Sequence, residues 1–168
     1  LRFHQLLASL SSEFMDSAIG DIDEEINRFL ARIGEFFQLD RAYIYQFSDG
    51  LTHMTNTHEW CRNGVTALKD SQQEVDITGF HWWQQQIREV LGRNQVLFVE
   101  DVSRLPESAV EERALLEEQG VTAMFCAPLL IRGTVEGFFG MDSLTVRHWR
   151  IDLDDLLVLE ASMLTQAL

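Results

Sequence analysis

Five histidines, two cysteines and a group of tryptophans are the residues of this 168-residue chain whose chemistry can be tested first. A shared metal ion needs ligands on one face. His53 and His58 lie on a segment that reads as a strand, where period-2 alternation sends them to opposite faces. His4, His81 and His148 show no ligand spacing with one another, so no metal site is expected. His58 or His81 is the candidate for an axial haem ligand, and a local hydrogen bond is the plainer role of each. A nucleophilic enzyme needs Ser or Cys beside a base. Neither Cys61 nor Cys126 has that setting, and no catalytic residue is expected. Cys126 sits in the apolar run Ala123-Met124-Phe125-Cys126-Ala127, where burial raises a thiol's pKa and blunts it. Cys61 borders a polar loop, with only Arg62 adjacent to lower its pKa.

The aromatic residues suggest binding instead. Trp60, Phe80, Trp82 and Trp83 gather around a polar segment that could close over them. Strict alternation places Asn56, His58 and Trp60 on one face of their strand, and Thr55, Thr57 and Glu59 on the other. Small-molecule sites are concave and mostly apolar, with a few placed polar groups. The aromatics meet the first condition; Asn56, His58, Glu59 or Asp101 meets the second. Cys126 and Met141, on two later apolar strands, complete the candidate pocket. The competing reading has the same rings fill a second small core.

Positioning these residues requires both helices and a sheet. Ile22, Ile26, Phe29, Leu30, Ile33 and Phe37 form a helical stripe, with Asp21 as cap and Glu24 completing a capping-box-like start. Arg41 to Phe47 is aromatic and β-prone, Ser48-Asp49-Gly50 turns, and His53 to Trp60 pairs back as a hairpin. Cys61 to Asp76 reads as a surface loop and Phe80 to Leu91 as a helix ended by Gly92. Gln95 to Val99 is a strand. Glu107 to Gln119 is an acidic helix whose glutamates, Glu112 among them, form a solvated face. Val121 to Ile131 and Thr134 to Met141 are strands joined by a tight turn at Arg132-Gly133. Arg147 to Arg150 reads as a surface turn, and Asp152 to Leu168 as a closing helix. The two hairpins imply an α+β fold with a central antiparallel sheet, terminal helices packed on one face and a lid and pocket on the other.

Composition sets outer limits. Lys and Arg number 13 against 27 Asp and Glu, a net charge of −14, which repels nucleic acid. The longest nearly apolar run, Val121 to Ile131, is far short of the roughly 20 residues of a membrane span, so no membrane insertion is expected. With two free cysteines, no CxxC and no secretion signal, the cytoplasm is the expected compartment. Leu1, Leu6, Leu7 and Leu10 at one end, and Leu164, Ala167 and Leu168 at the other, are spaced as helices without terminal caps. The whole chain, 1–168, reads as one domain excised from a longer chain.

Several blocks carry a resemblance. Asp40-Arg41-Ala42-Tyr43-Ile44-Tyr45, Thr57-His58-Glu59-Trp60-Cys61 with Gly64, and Phe80-His81-Trp82-Trp83 come first. Val99-Glu100-Asp101-Val102 with Leu105-Pro106, then Glu117 to Val121 leading into Ala127-Pro128-Leu129, and Gly137-Phe138-Phe139-Gly140-Met141-Asp142 follow in order. Together, over residues 5 to 168, they resemble GAF domains of a bacterial subgroup found in diguanylate cyclases and sensor histidine kinases. The resemblance implies a regulatory module that binds a small molecule, dimerises through its terminal helices, and controls an output domain elsewhere in a longer chain. A ligand-free dimerisation module and a haem or redox sensor are the alternatives. Within that family, bilin carriers place a thiol beside a histidine, which neither Cys61 nor Cys126 has. Cyclic-nucleotide binders carry Asn-Lys, and methionine sulfoxide reductases carry lid cysteines; both patterns are missing here. The ligand is left unidentified.

Overall fold

The computed structural model describes residues 22–149. The expected helices near Leu1–Leu10 and over Asp152–Leu168, the Asp21 cap and His4 lie outside them.

Helix α1 (Ile22–Phe36) opens with Asp23, Glu24 and Glu25, carboxylates that complement the positive end of the helix dipole. Its Ile26, Phe29, Leu30 and Ile33 are completely buried. Each contributes roughly 1.5–3 kcal/mol by leaving water. The chain continues as β1 (Arg41–Phe47), β2 (His53–Cys61), a two-residue β3 (Val75–Asp76), α2 (His81–Glu89) and β4 (Leu97–Val99). It ends with α3 (Val110–Glu118), β5 (Ala123–Ile131) and β6 (Thr134–Ser143). The strands form one antiparallel sheet in the order β3-β2-β1-β6-β5-β4. Arg132 and Gly133 both take positive φ, 53° and 80°, the signature of the type I′ turn whose twist suits a two-residue hairpin.

Alternation divides the sheet between two cores. Ala42, Ile44, Phe125, Phe139 and Met141 pack against α1 on one face. Tyr43, Tyr45, Phe47, Met124, Cys126 and Phe138 face the other way, toward Trp82, Trp83 and Ile87 of α2. A helix therefore covers one face and the candidate pocket the other, the arrangement expected from sequence.

Three expectations are corrected. The segment after β2 is no free surface loop: it makes a short helical turn at Lys69–Ser71, pairs as β3, and buries Gln72. The acidic helix begins with a separate 3₁₀ turn at Glu107–Ala109, and Glu112, assigned to its solvated side, is buried. In the expected surface turn His148 is exposed, but Arg147 and Trp149 are tied to the fold. Arg147 Nη2 donates to the Phe37 carbonyl just past α1 at 2.7 Å, and Trp149, half-buried on the α1-side core, donates from Nε1 to the Val99 carbonyl.

Gly34 marks how closely α1 approaches β2. A Cβ there would clash with carbons of the Trp60 ring. Gly→Ala in a helix interior ordinarily stabilises by up to about 1 kcal/mol. Here we expect Gly34→Ala to destabilise by about 1–3 kcal/mol, the usual cost of overpacking, with most of that loss recovered in the Gly34→Ala/Trp60→Leu pair. Urea melts of both variants check this, and a stabilised single variant would contradict it.

Candidate functional site

A cavity lies between the sheet and the layer formed by α2, α3 and the segment after β2. Its floor is Tyr43 and Tyr45 of β1, Asn56 of β2, Cys126 of β5 and Phe138 of β6. Phe80, Trp82 and Trp83 wall it from the α2 side, Leu115 and Leu116 from α3, and Leu68 and Gln72 from the connecting segment. The rings support one another: Tyr45 stacks on Phe138 at 4.9 Å between centroids, and Trp83 meets Phe138 edge-on at 5.1 Å. About 80 Å³ of free space remains, measured to water centres, which is room for a few waters or one compact organic molecule.

Polar groups fasten this layer down. Both oxygens of Glu59 accept from the Leu68 N–H, at 3.0 and 3.1 Å, and Oε1 accepts from that of Lys69. The Asn56 backbone N–H donates to the Gln72 carbonyl at 2.9 Å, while Gln73 Nε2 donates to the Asn56 carbonyl. Glu112, 6% exposed, accepts from the Trp83 N–H at 2.7 Å. That bond places a carboxylate of α3 on an otherwise orphan donor in the first turn of α2.

At one edge lies a buried ionisable group. Tyr43 Oη donates to Asp142 Oδ1 at 2.5 Å, and Arg41 Nη1 stands 3.7 Å from Asp142 Oδ2. Arg41 also donates to the carbonyls of Thr66 and Gln119. Burial pushes the Asp142 carboxyl up to about 7, against the opposing pull of the Tyr43 hydroxyl and Arg41. Burial and the neighbouring carboxylate raise the Tyr43 phenol as well. Asp142 is therefore a group that can exchange its proton near neutrality, and Tyr43 one that keeps it.

The candidate residues do not all meet here. Asn56, Phe80, Trp82, Trp83 and Cys126 line the cavity. His58 and Trp60 do not, because β2 carries a bulge. Ile44 pairs with His58 but Tyr45 pairs with Asn56, leaving Thr57 as an extra residue that reverses the alternation. Asn56 and Glu59 thus share the cavity face, and His58 and Trp60 turn toward α1. There His58 Nε2 meets Asp23 Oδ1 at 2.8 Å, and Trp60 joins the α1 core. The same bulge sets His53 and His58 on one face rather than opposite ones, each bound to its own local partners. Met141 is buried beneath α1. Asp101 accepts from the Ser103 N–H and Oγ in a tight turn beside a different, shallow concavity.

Tyr43, Tyr45, Phe138 and Asp142 were missed. Period-2 counting along two strands, Tyr43-Tyr45 and Phe138-Gly140-Asp142, already sets each group on one face. An aspartate at such a position inside an apolar strand is the signal that could have revealed Asp142.

Neither thiol is activated. Burial and the Glu59 carboxylate push Cys61 up to about 11, and burial drives Cys126 well above its ordinary value. Arg62, the residue that could have lowered Cys61, is held by Asp40. We expect Cys61 to label at pH 7.5 roughly tenfold or more slowly than free cysteine, and Glu59→Gln to quicken it. Labelling of native Cys61 at the rate seen in urea would contradict this. Among the described residues no group of three His, Cys, Asp or Glu side chains could hold a metal ion. No helix among them is long and apolar enough to cross a membrane.

Comparison with known proteins gives a consistent picture. The family model for the GAF domain matches residues 21–167. A methanogenesis regulatory histidine kinase, FilI of Methanothrix harundinacea (strain 6Ac), is 30% identical over 139 residues, covering 82% of this chain and 15% of that protein. The chain thus spans about 15% of the length of that curated relative. Among solved structures, the GAF domain of Thermosynechococcus elongatus PixJ in its blue-light-absorbing form superposes with a TM-score of 0.71 at 18% identity, over 87% of this chain and 83% of that one. The phycocyanobilin-bound GAF domain of a cyanobacterial phytochrome gives 0.77 at 16% identity, over 99% and 93%.

Proposed function

The chain belongs to the GAF domain family, and from that membership we propose that it is a regulatory sensory module whose cavity takes a small molecule and whose occupancy controls an output domain in a longer chain. The supporting observation is the cavity itself. It is walled by aromatics, closed by a segment that Glu59 and Gln73 pin to β2, and lined by Asn56 and Trp83, each of which buries a polar atom that the protein leaves unpaired. The kinship to a regulatory histidine kinase favours a kinase as the output, with a diguanylate cyclase as the other candidate. On this reading the chain's ends join two copies side by side through their helices, since a symmetric homodimer is the commonest assembly. Ligand acts by binding one arrangement of that pair better than the other.

A linear tetrapyrrole, the group bound by the phytochrome neighbour, does not suit these residues. The free space is about 80 Å³, and Cys126, the thiol that faces it, is blunted by burial. A haem loses its first candidate ligand, because His58 points away from the cavity toward α1.

Native mass spectrometry of the freshly purified 168-residue chain, compared with its denatured mass, tests the proposal and reports the oligomeric state. An excess mass lost on denaturation supports it. A second reading, a structural dimerisation module, draws on the mutual packing of Tyr45, Phe138 and Trp83. It predicts a bare mass, and a Trp83→Ala variant that loses stability without gaining access for any small aromatic.

A further inference from the structure

Two residues that line this cavity each bury a side-chain atom with no hydrogen-bond partner among the described residues: Asn56 Oδ1, an acceptor, and Trp83 Nε1, a donor. A third such atom, Arg41 Nη1, stands beside Asp142 at the cavity edge. Asn56 is 1% exposed and Trp83 6%. An unpaired buried polar atom carries the full desolvation penalty of its group, and native folds keep few of them. Neither is needed where it stands for the backbone's sake, since the Asn56 main chain is already satisfied by Gln72 and Gln73 and the Trp83 backbone N–H by Glu112. The residues lining the cavity therefore carry one unpaired acceptor and one unpaired donor between largely apolar walls.

Its charge is equally one-sided. Glu59, Glu112 and Asp142 line it, and no Lys or Arg side chain does among the described residues. An anion placed there would be desolvated beside three carboxyl groups, and Arg41, which stands outside the lining, is already paired with Asp142. A neutral ring, or a cation that the aromatic faces and carboxylates attract, meets no such penalty. Given the reading of the cavity as a ligand site, the geometry points to a ligand of one class. It is a compact planar nitrogen heterocycle, uncharged or cationic, that donates an N–H to Asn56 Oδ1 and accepts from Trp83 Nε1–H. A hydrocarbon of the same shape leaves both atoms unpaired, which is the situation in which sites discriminate most strongly.

Three probes of similar outline separate the possibilities: benzimidazole, which has both groups, its hydrocarbon counterpart indene, and the anionic benzimidazole-5-carboxylate. Each is titrated by NMR into the 168-residue chain, following the Asn56 side-chain amide and the Trp83 indole signal. Benzimidazole is expected to bind saturably, and the other two at least about tenfold more weakly. Asn56→Leu and Trp83→Phe, which keep apolar volume, are each expected to weaken benzimidazole about tenfold and leave indene unchanged. Indene or the carboxylate binding as tightly as benzimidazole overturns the heterocycle class while leaving the cavity a ligand site. Binding of none of the three overturns both.

Discussion

Replacing Arg41 by Met is expected to cost about 3–5 kcal/mol at pH 8, the loss typical of leaving one member of a buried ion pair alone, and distinctly less at pH 5. Arg41 and Asp142 are both buried, on paired positions at one end of the central strands β1 and β6. Without the guanidinium, the Asp142 carboxylate has only the Tyr43 hydroxyl for company. At pH 5 the carboxyl is protonated in the folded protein, so the missing cation matters less. What remains is the loss of the Arg41 bonds to Thr66 and Gln119.

The unmutated protein has a linked signature. The folded value of about 7 for Asp142 lies above its unfolded value, so between about pH 4 and pH 7 the folded state holds a proton that the unfolded chain has released. Stability from this group is fully present below about pH 4. It falls by roughly 4 kcal/mol as pH rises through the window and is flat above it. Asp142→Asn removes that slope, and the Arg41→Met/Asp142→Asn pair recovers most of the Arg41→Met loss at pH 8. Urea melts at pH 4, 5, 7 and 8 decide the matter. An Arg41→Met penalty equal at pH 5 and pH 8 would overturn the assignment.

Gly137→Ala is the second large effect, and its cause is steric. Gly137 stands between Gln46 of β1 and Leu129 of β5, where a Cβ would run into the backbone carbonyl of Tyr45. A side chain can swing aside; a carbonyl already engaged in a central strand pair cannot. We expect a loss of at least about 3 kcal/mol, the upper end of overpacking costs, and weakened protection of β1 amides in hydrogen exchange. Gly140→Ala is the control. Its Cβ meets the Tyr43 ring, which has room to turn toward the cavity, so the loss is smaller and the Tyr43–Asp142 contact is disturbed instead. A fully stable Gly137→Ala would show that β1 and β6 are less tightly apposed than described.

Much of the fold could be read along the chain. The α1 stripe, the two hairpins and the Arg132-Gly133 turn depend on local periodicity and turn chemistry, which a sequence carries directly. The tryptophans of Phe80-His81-Trp82-Trp83 announced the cavity wall, since rings beside a polar segment must either pack or bind. Asn56 lies on the cavity face. His58 and Trp60 lie on the other face, and nothing in Thr55-Asn56-Thr57-His58 marks the bulge that sends them there.

By itself, then, the amino-acid sequence determined the fold class, the acidic surface, the blunted character of Cys126 and the aromatic richness of one region, all of which follow from residue type and local spacing. Tertiary structure alone decided which side of β2 faces the cavity. It also buried Glu112 and turned it onto α2, closed Asp142 in with Arg41 and Tyr43, and left Asn56 Oδ1 and Trp83 Nε1 without partners. The physical reason is common to these cases. Register, burial and hydrogen-bond satisfaction depend on residues far apart in the chain, 99 positions in the case of Tyr43 and Asp142, and no window of local sequence contains both members of such a pair.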